Sequence, residues 1–551
     1  MLLQSSSPLA RRCINVVSFC VDNSCVAFVF IGRIVGWILP IMFFKRYYWQ
    51  KITQKSANNT NILAIFAFIT IIANIMIENI IGREGEKDAL ARVWESNQSE
   101  FVAVCGRRRV GKTFLVREYF EEQMVFQVSG IANGNTGEQL KNFYYTLRRY
   151  DSSVSEMPKD WIDAFELLIR YLSSLSIERK VVFLDELPWM DTPGANFVSA
   201  LEHFWNGWAS ARRDIVLIVC GSATSWMMDK LINNHGGLYG RLTRRMMLQP
   251  FSLGEAERFV IARGVRLSRY EVAEAYMILG GIPYYLNMLD SRLSLAQNID
   301  RLLFNPNGEL YNEFDMLYRS LFSHSDVYIK VVECLNRRGY GMTRAEIVET
   351  TGMKSGKMLT TVLANLESCG FVRKYANYGC ADRKALYQLV DFFTLFYFRF
   401  LRESSFRNLQ YWSVLQRTPR FYAWAGISFE ILSMEHISQI KKKLGIAGVA
   451  TNVYSWRSKS VEDEEERAAQ IDMVIERADN TINICEMKFS EDEFAISKDY
   501  DKVLRNKIVR FQEETKSRKS VQLTLVTSYG IKKDMYAGIV QNEVVLDDLF
   551  E

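Results

Sequence analysis

Residues 106–113 read G-R-R-R-V-G-K-T, an order of residue types suited to holding phosphate. It fits G-x-x-x-x-G-K-[ST], in which Gly106 and Gly111 let the backbone curl. The amides of Arg107, Arg108, Arg109 and Val110 can then face phosphate oxygens. Lys112 is placed to reach the β- and γ-phosphates of ATP, and Thr113 to offer its hydroxyl to Mg²⁺. Such a loop must leave a strand and enter a helix, whose N-terminus turns its positive end toward the anion. Both neighbours are expected here. The apolar run from Phe101 to Cys105 reads as a buried strand, and Leu115, Tyr119 and Phe120 recur at helical spacing.

A second pair follows at K-V-V-F-L-D-E, residues 180–186. An apolar run ending in two acids is expected to be a buried parallel strand with its acids at the C-terminal tip, where open α/β sheets bind ligands. Asp185 would serve Mg²⁺ and Glu186 would act as general base on the attacking water. A third strand, Ile215 to Cys220, leads to Ser222 and Thr224, which suit either a γ-phosphate sensor or a helix N-cap. In L-Y-G-R, Arg241 would neutralise transition-state charge, in cis or from a neighbouring copy in a homo-oligomer, or else form a surface ion pair. Two further segments leave two readings each. The G-R-E at 82–84 is either an adenine neighbour or a helix cap, and the G-G-I-P at 280–283 either lays a helix on the nucleotide or makes a tight bend.

Another group of acids lies near the C-terminal end. Strand-like runs at 470–477 and 482–489 are joined by the turn A-D-N-T. Glu486 and Lys488 are two apart and share a face, and Asp472 can approach them across the hairpin. Two carboxylates can hold Mg²⁺, and a neighbouring lysine can orient water, as metal-assisted phosphodiester hydrolysis requires. Lys498, Lys502, Arg505, Lys507 and Arg510 would form a basic helix able to track DNA phosphates, whereas the acidic run 462–466 would repel them. A charged hairpin with ordinary ion pairs is the competing account.

The motifs at 106–113, 184–186, 220–222, 238–241 and 281–283 resemble the prokaryotic and archaeal AAA-type ATPases related to the STAND class, over roughly residues 80–400. The resemblance implies a nucleotide-dependent switch or motor with slow ATP hydrolysis. The set Asp472, Glu486 and Lys488 resembles the PD-(D/E)xK nuclease superfamily, in the form fused to this ATPase class. Glu430 matches its first-helix acid, and Ile471 stands where that motif has proline.

The fold class that positions these residues is α/β: a parallel-sheet P-loop ATPase with a helical lid, a winged helix-turn-helix and a C-terminal α/β nuclease-like domain. At 551 residues the chain has room for about three or four domains. The expected divisions are 1–75, 76–250, 251–324, 325–400 and 401–551. In the fourth, helices from Thr343 and from Ser355 would precede a two-stranded wing at 370–374 and 385–390. Lys354, Lys357, Arg373 and Lys374 could meet DNA phosphates there, although the second helix is poor in base-reading residues. A net charge of +5 permits nucleic acid as a partner without requiring it. Nine cysteines without C-x-x-C spacing argue against zinc and disulfides and fit a reducing cytoplasm. Four scattered histidines disfavour a histidine metal site or triad. The apolar runs 24–44 and 61–77 leave three readings open: a membrane anchor, a stretch upstream of a true start at Met76, or buried structure.

Overall fold

The computed structural model describes residues 16–21, 24–29, 80–222, 224–232, 238, 240–322, 324–379, 385–402, 410–458 and 469–551. Two compact units divide the chain, Met1–Glu78 and Asn79–Glu551. In the first, β1 (Val16–Val21) pairs antiparallel with β2 (Ser24–Val29). The rest of the apolar runs 24–44 and 61–77 lies outside the described residues. Among the described residues, no helix is long and apolar enough to cross a membrane.

The second unit begins with a five-stranded sheet. Its strands are β3 (Glu100–Cys105), β4 (Met124–Ser129), β5 (Lys180–Asp185), β6 (Ile215–Gly221) and β7 (Arg244–Met247). Their spatial order is β4-β5-β6-β3-β7 and every pairing is parallel. Every residue of β3, β5 and β6 is buried, as expected of strands covered on both faces. The pleat sorts the side chains. Val102, Val104, Val181, Phe183, Val216 and Ile218 enter one core, while Phe101, Ala103, Val182, Leu184, Leu217 and Val219 enter the other. The expected α/β fold with its parallel sheet is therefore present, and the tips of β3, β5 and β6 share one edge.

Helices Leu253–Ala262 and Arg269–Leu279 follow, each opened by a serine capping box, at Ser252 with Glu255 and at Ser268 with Glu271. Gly281 has φ +63° and its carbonyl accepts from Phe251 N–H at 2.8 Å, so the G-G-I-P segment bends tightly into the short helix Pro283–Leu286, whose Tyr284 ring lies 4.5 Å from the Arg109 guanidinium. Helices Ser325–Asn336, Arg344–Thr351 and Lys357–Ser368 then pack with a small antiparallel sheet. That sheet holds β8 (Met342–Thr343), β9 (Val372–Tyr375) and β10 (Leu386–Leu389) in the order β8-β10-β9. It has one more strand than the expected hairpin, because Met342 and Thr343 pair with Tyr387 and Leu386 just before the helix that Thr343 caps.

The C-terminal sheet contains β11 (Thr451–Arg457), β12 (Gln470–Arg477), β13 (Thr481–Lys488), β14 (Ser520–Thr527) and β15 (Asn542–Val545), adjacent in that order. The first two pairings are antiparallel and the last two parallel. Helix Pro419–Glu435 packs on β13. This part of the chain contacts helices Leu253–Ala262 and Arg269–Leu279. Leu253 N–H donates to His436 Nε2 at 3.0 Å, and Arg269 lies 4.8 Å from the Phe550 ring. The Phe550 carbonyl oxygen occupies the space that a Cβ at Gly254 would fill.

Candidate functional site

The 106–113 loop leaves β3 and enters helix Lys112–Tyr119. Its curl requires left-handed backbone at Arg109 (φ +73°) and Gly111 (φ +93°). Gly106 also has positive φ, +143°, and a Cβ there would collide with the Leu248 carbonyl. Lys112 is buried, and its Nζ donates to the carbonyls of Gly106 at 2.9 Å and Arg107 at 3.0 Å. Those bonds use two of the three ammonium protons.

Thr113 Oγ1 lies 3.1 Å from both carboxylate oxygens of Asp185. The same carboxylate accepts from Ser129 Oγ at 3.2 Å and from Glu186 N–H at 3.0 Å. Cys220 Sγ also contacts Asp185 Oδ1. Burial, then the adjacent Asp185 charge, push the Cys220 thiol well up, so it remains a protonated donor. Glu186 sits in left-handed backbone with φ +49°. Its Oε2 accepts from Ser222 N–H at 3.1 Å and Ser222 Oγ at 2.9 Å. Ser222 is thus a direct partner of Glu186, whereas Thr224 opens the short helix Thr224–Met227.

Three arginines brace the loop. Arg83, N-terminal to helix Glu84–Glu95, donates to Gln249 O at 2.7 Å and Val110 O at 3.1 Å, and its guanidinium lies 4.6 Å from the Phe251 ring. The G-R-E segment is therefore tied to the loop's own backbone. Arg107 pairs with Asp391, and Arg109 pairs with Glu313. Arg108 is half-buried. Arg241 is exposed on the turn before β7, and among the described residues no side-chain hydrogen bond or ion pair joins it to the loop.

The second group of acids lies between β12, β13 and helix Pro419–Glu435. Met473 faces Cys485 across the hairpin, and one step along that register sets Asp472 opposite Glu486. Burial, followed by the Asp472 charge, pushes the Glu430 carboxyl up. Burial and then Glu486 push Asp472 up as well. Glu430 and Asp472 line a cavity of about 190 Å³ together with Tyr340, Tyr375, Trp456 and Arg457. Glu486 is deeply buried and already occupied, with Lys507 Nζ on Oε1 and Tyr500 OH 3.1 Å from Oε2. Lys488 Nζ lies 5.1 Å from the Tyr500 ring centre. Among the described residues, no group of three or more His, Cys, Asp and Glu side chains is poised to hold a metal ion.

Several expectations about basic residues change. Arg373 turns inward and donates to Gln388 Oε1 at 2.5 Å, and burial lowers its pKa, so it does not face solvent phosphates. Lys354, Lys357 and Lys374 are exposed. On helix Lys498–Thr515, Lys502 pairs with Asp499, Arg505 with Asp501 and Lys507 with Glu486, which reduces the expected phosphate-tracking surface. The acidic run 462–466 lies outside the described residues. Tyr500 and Lys507 were missed as site residues. They are seven apart on one helix, two turns, and so share a face. Read beside the β13 acids, that spacing was a usable signal.

Residues 81–289 match a family described as an ATPase domain predominantly from Archaea. An uncharacterized protein of Methanocaldococcus jannaschii is 25% identical over 369 residues, 66% of this chain and 78% of that protein. An uncharacterized ATP-binding protein of the same organism is 35% identical over 49 residues, 9% of this chain and 83% of that protein. Among solved structures, a Walker-type ATPase of Pyrococcus abyssi shares 20% identity at a TM-score of 0.45, over 58% of this chain and 95% of that one. The ORC2 protein of Aeropyrum pernix, in its ADPNP-ADP complexes, shares 14% at a TM-score of 0.36, over 66% and 98%.

Proposed function

Residues 81–289 belong to the archaeal-type ATPase family, a P-loop ATPase domain, and on that premise we propose that ATP hydrolysis at the 106–113 loop controls a nucleic-acid-binding, Mg²⁺-dependent phosphodiesterase in the C-terminal part. The observation that carries the ATPase reading is the meeting of Lys112, Thr113, Asp185 and Glu186 at one edge of a parallel sheet. The donor set fits ATP with Mg²⁺: an ammonium at the loop's mouth, and a hydroxyl beside a carboxylate. Thr113 and Asp185 would hold Mg²⁺, which would supply neutralisation of phosphate charge. Loop amides and Lys112 hold the triphosphate, and Glu186 accepts the proton of the attacking water. Arg241, exposed, serves the nucleotide of a neighbouring copy.

In this reading Ser222 holds the Glu186 carboxylate in place with two donors. Ser222→Ala removes one of these donors and loosens the carboxylate, so kcat should fall about two- to tenfold with KM unchanged. A raised KM for ATP would instead make Ser222 part of the phosphate contact.

The unit at 325–400 acts as a winged helix that presents Lys354, Lys357 and Lys374 to nucleic acid. The pair Glu430 and Asp472 suits a divalent cation, because both are buried acids pushed up by burial and by neighbouring carboxylates, and among the described residues neither makes the direct ion pair that Glu486 makes with Lys507. Lys488 orients the water. Wild type should cut DNA in the presence of Mg²⁺ and Glu486→Ala should not. Equal cutting by both removes the nuclease claim. The salt bridge from Lys507 to Glu486 supports a second reading, in which the nuclease-like domain is silent and ATP drives a switch through protein contacts. Neither protein would then cut DNA, while both would still hydrolyse ATP.

A further inference from the structure

The phosphate loop is braced from outside the family-matched region. Arg107 and Arg109 lie within the loop, while their partners Asp391 and Glu313 lie beyond residue 289. Asp391 is the N-cap of helix Phe392–Phe396, where its second oxygen accepts from Thr394 N–H at 3.0 Å and Thr394 Oγ1 at 2.6 Å. It follows β10 by two residues and so belongs to the small three-stranded unit. Glu313 opens helix Glu313–Leu321 and accepts from Tyr285 OH at 2.6 Å. Arg107 lies 4.9 Å from the Phe371 ring and Arg109 lies 4.5 Å from the Tyr284 ring. Each guanidinium is thereby fixed in direction as well as in charge.

Buried ion pairs of this kind contribute little net stability, because desolvation offsets the attraction. The Arg107 pair is also incompletely satisfied, since its Nε and Nη2 are buried without an acceptor among the described residues. A contact needed for fold stability alone would be better served by apolar packing. What the two pairs do supply is a fixed path for the backbone at Arg107 and Arg109, the segment whose amides must face phosphate. Lys112 Nζ rests on the carbonyls of Gly106 and Arg107, so the same segment also sets the height of the ammonium.

We propose that Asp391 and Glu313 are positioning residues of the nucleotide site: through Arg107 and Arg109 they hold the phosphate loop in its binding shape, and they make ATP affinity depend on the seating of the 313–396 segment. This rests on residues 106–113 being the ATP site. The coupling is reciprocal, so a bound nucleotide must in turn tighten the hold of the loop on that segment.

The test is a double-mutant cycle on the full chain, read as the Kd of a fluorescent ATP analogue and as the thermal midpoint without nucleotide. Asp391→Asn keeps an oxygen for Thr394 but removes the charge that faces Arg107. Arg107→Met removes the other partner. Each single variant should weaken binding roughly tenfold, and the double variant should be no weaker than either. Additive losses, or a lowered midpoint with unchanged Kd, overturn the proposal. Glu313→Gln gives the same reading at Arg109 should Asp391→Asn fail to fold: a weakened Kd supports the proposal and an unchanged one overturns it. Lys112→Ala separates the two levels of inference. If it binds normally, the ATP site itself is misplaced. If it loses binding while Asp391→Asn and Glu313→Gln do not, only the positioning role falls.

Discussion

Lys112→Ala is expected to lose ATP binding and hydrolysis together. The ammonium lies at the mouth of the loop, buried, with two of its protons on loop carbonyls. Removing one partner of a desolvated charge pair costs about 3 kcal/mol or more, roughly 10²-fold in affinity. Truncation also releases the carbonyls of Gly106 and Arg107, so the loop loses an internal tie as well as a phosphate contact. Equilibrium binding of a fluorescent ATP analogue is the direct measurement. Affinity equal to wild type would contradict the assignment of this loop as the site.

Glu186→Gln should separate binding from chemistry. Glutamine is isosteric and its oxygen can still accept from Ser222 N–H and Oγ, so the local fold is kept. It cannot accept a proton from water. A general base of this kind contributes about 10²- to 10⁴-fold, and kcat should fall by that order while ATP affinity stays near wild type. Single-turnover hydrolysis with bound radiolabelled ATP would show the bond left intact. A variant that turns over at the wild-type rate would remove Glu186 from the role of base.

The elements around the 106–113 loop were legible because each is local. An apolar run, two glycines, a lysine and a threonine specify strand, loop and helix within a short window, and β3 with helix Lys112–Tyr119 follows that reading. β5 was equally plain, since its apolar run ends in an acid. The hairpin of β12 and β13 was readable from alternation and its turn, and the resulting register sets Asp472 opposite Glu486. What could not be read was pairing over long separations. Arg107 and Asp391 are 284 residues apart, and nothing in either local sequence names the other. Arg373 looked like a phosphate contact because its position in a wing strand does not reveal which face is buried. Lys507 looked like part of a basic DNA-facing stripe because it lies among other cations, yet it turns to the buried acid Glu486. In each case the charge was visible but its direction depended on tertiary packing.

Gly254 has no side chain, and the Phe550 backbone fills the place where one would stand. Leu253 N–H donates to His436 and Arg269 lies beside the Phe550 ring, so helices Leu253–Ala262 and Arg269–Leu279 are in direct contact with the C-terminal part. Any side chain introduced at Gly254 would therefore push the Phe550 backbone away and part helix Leu253–Ala262 from the end of the chain's last sheet.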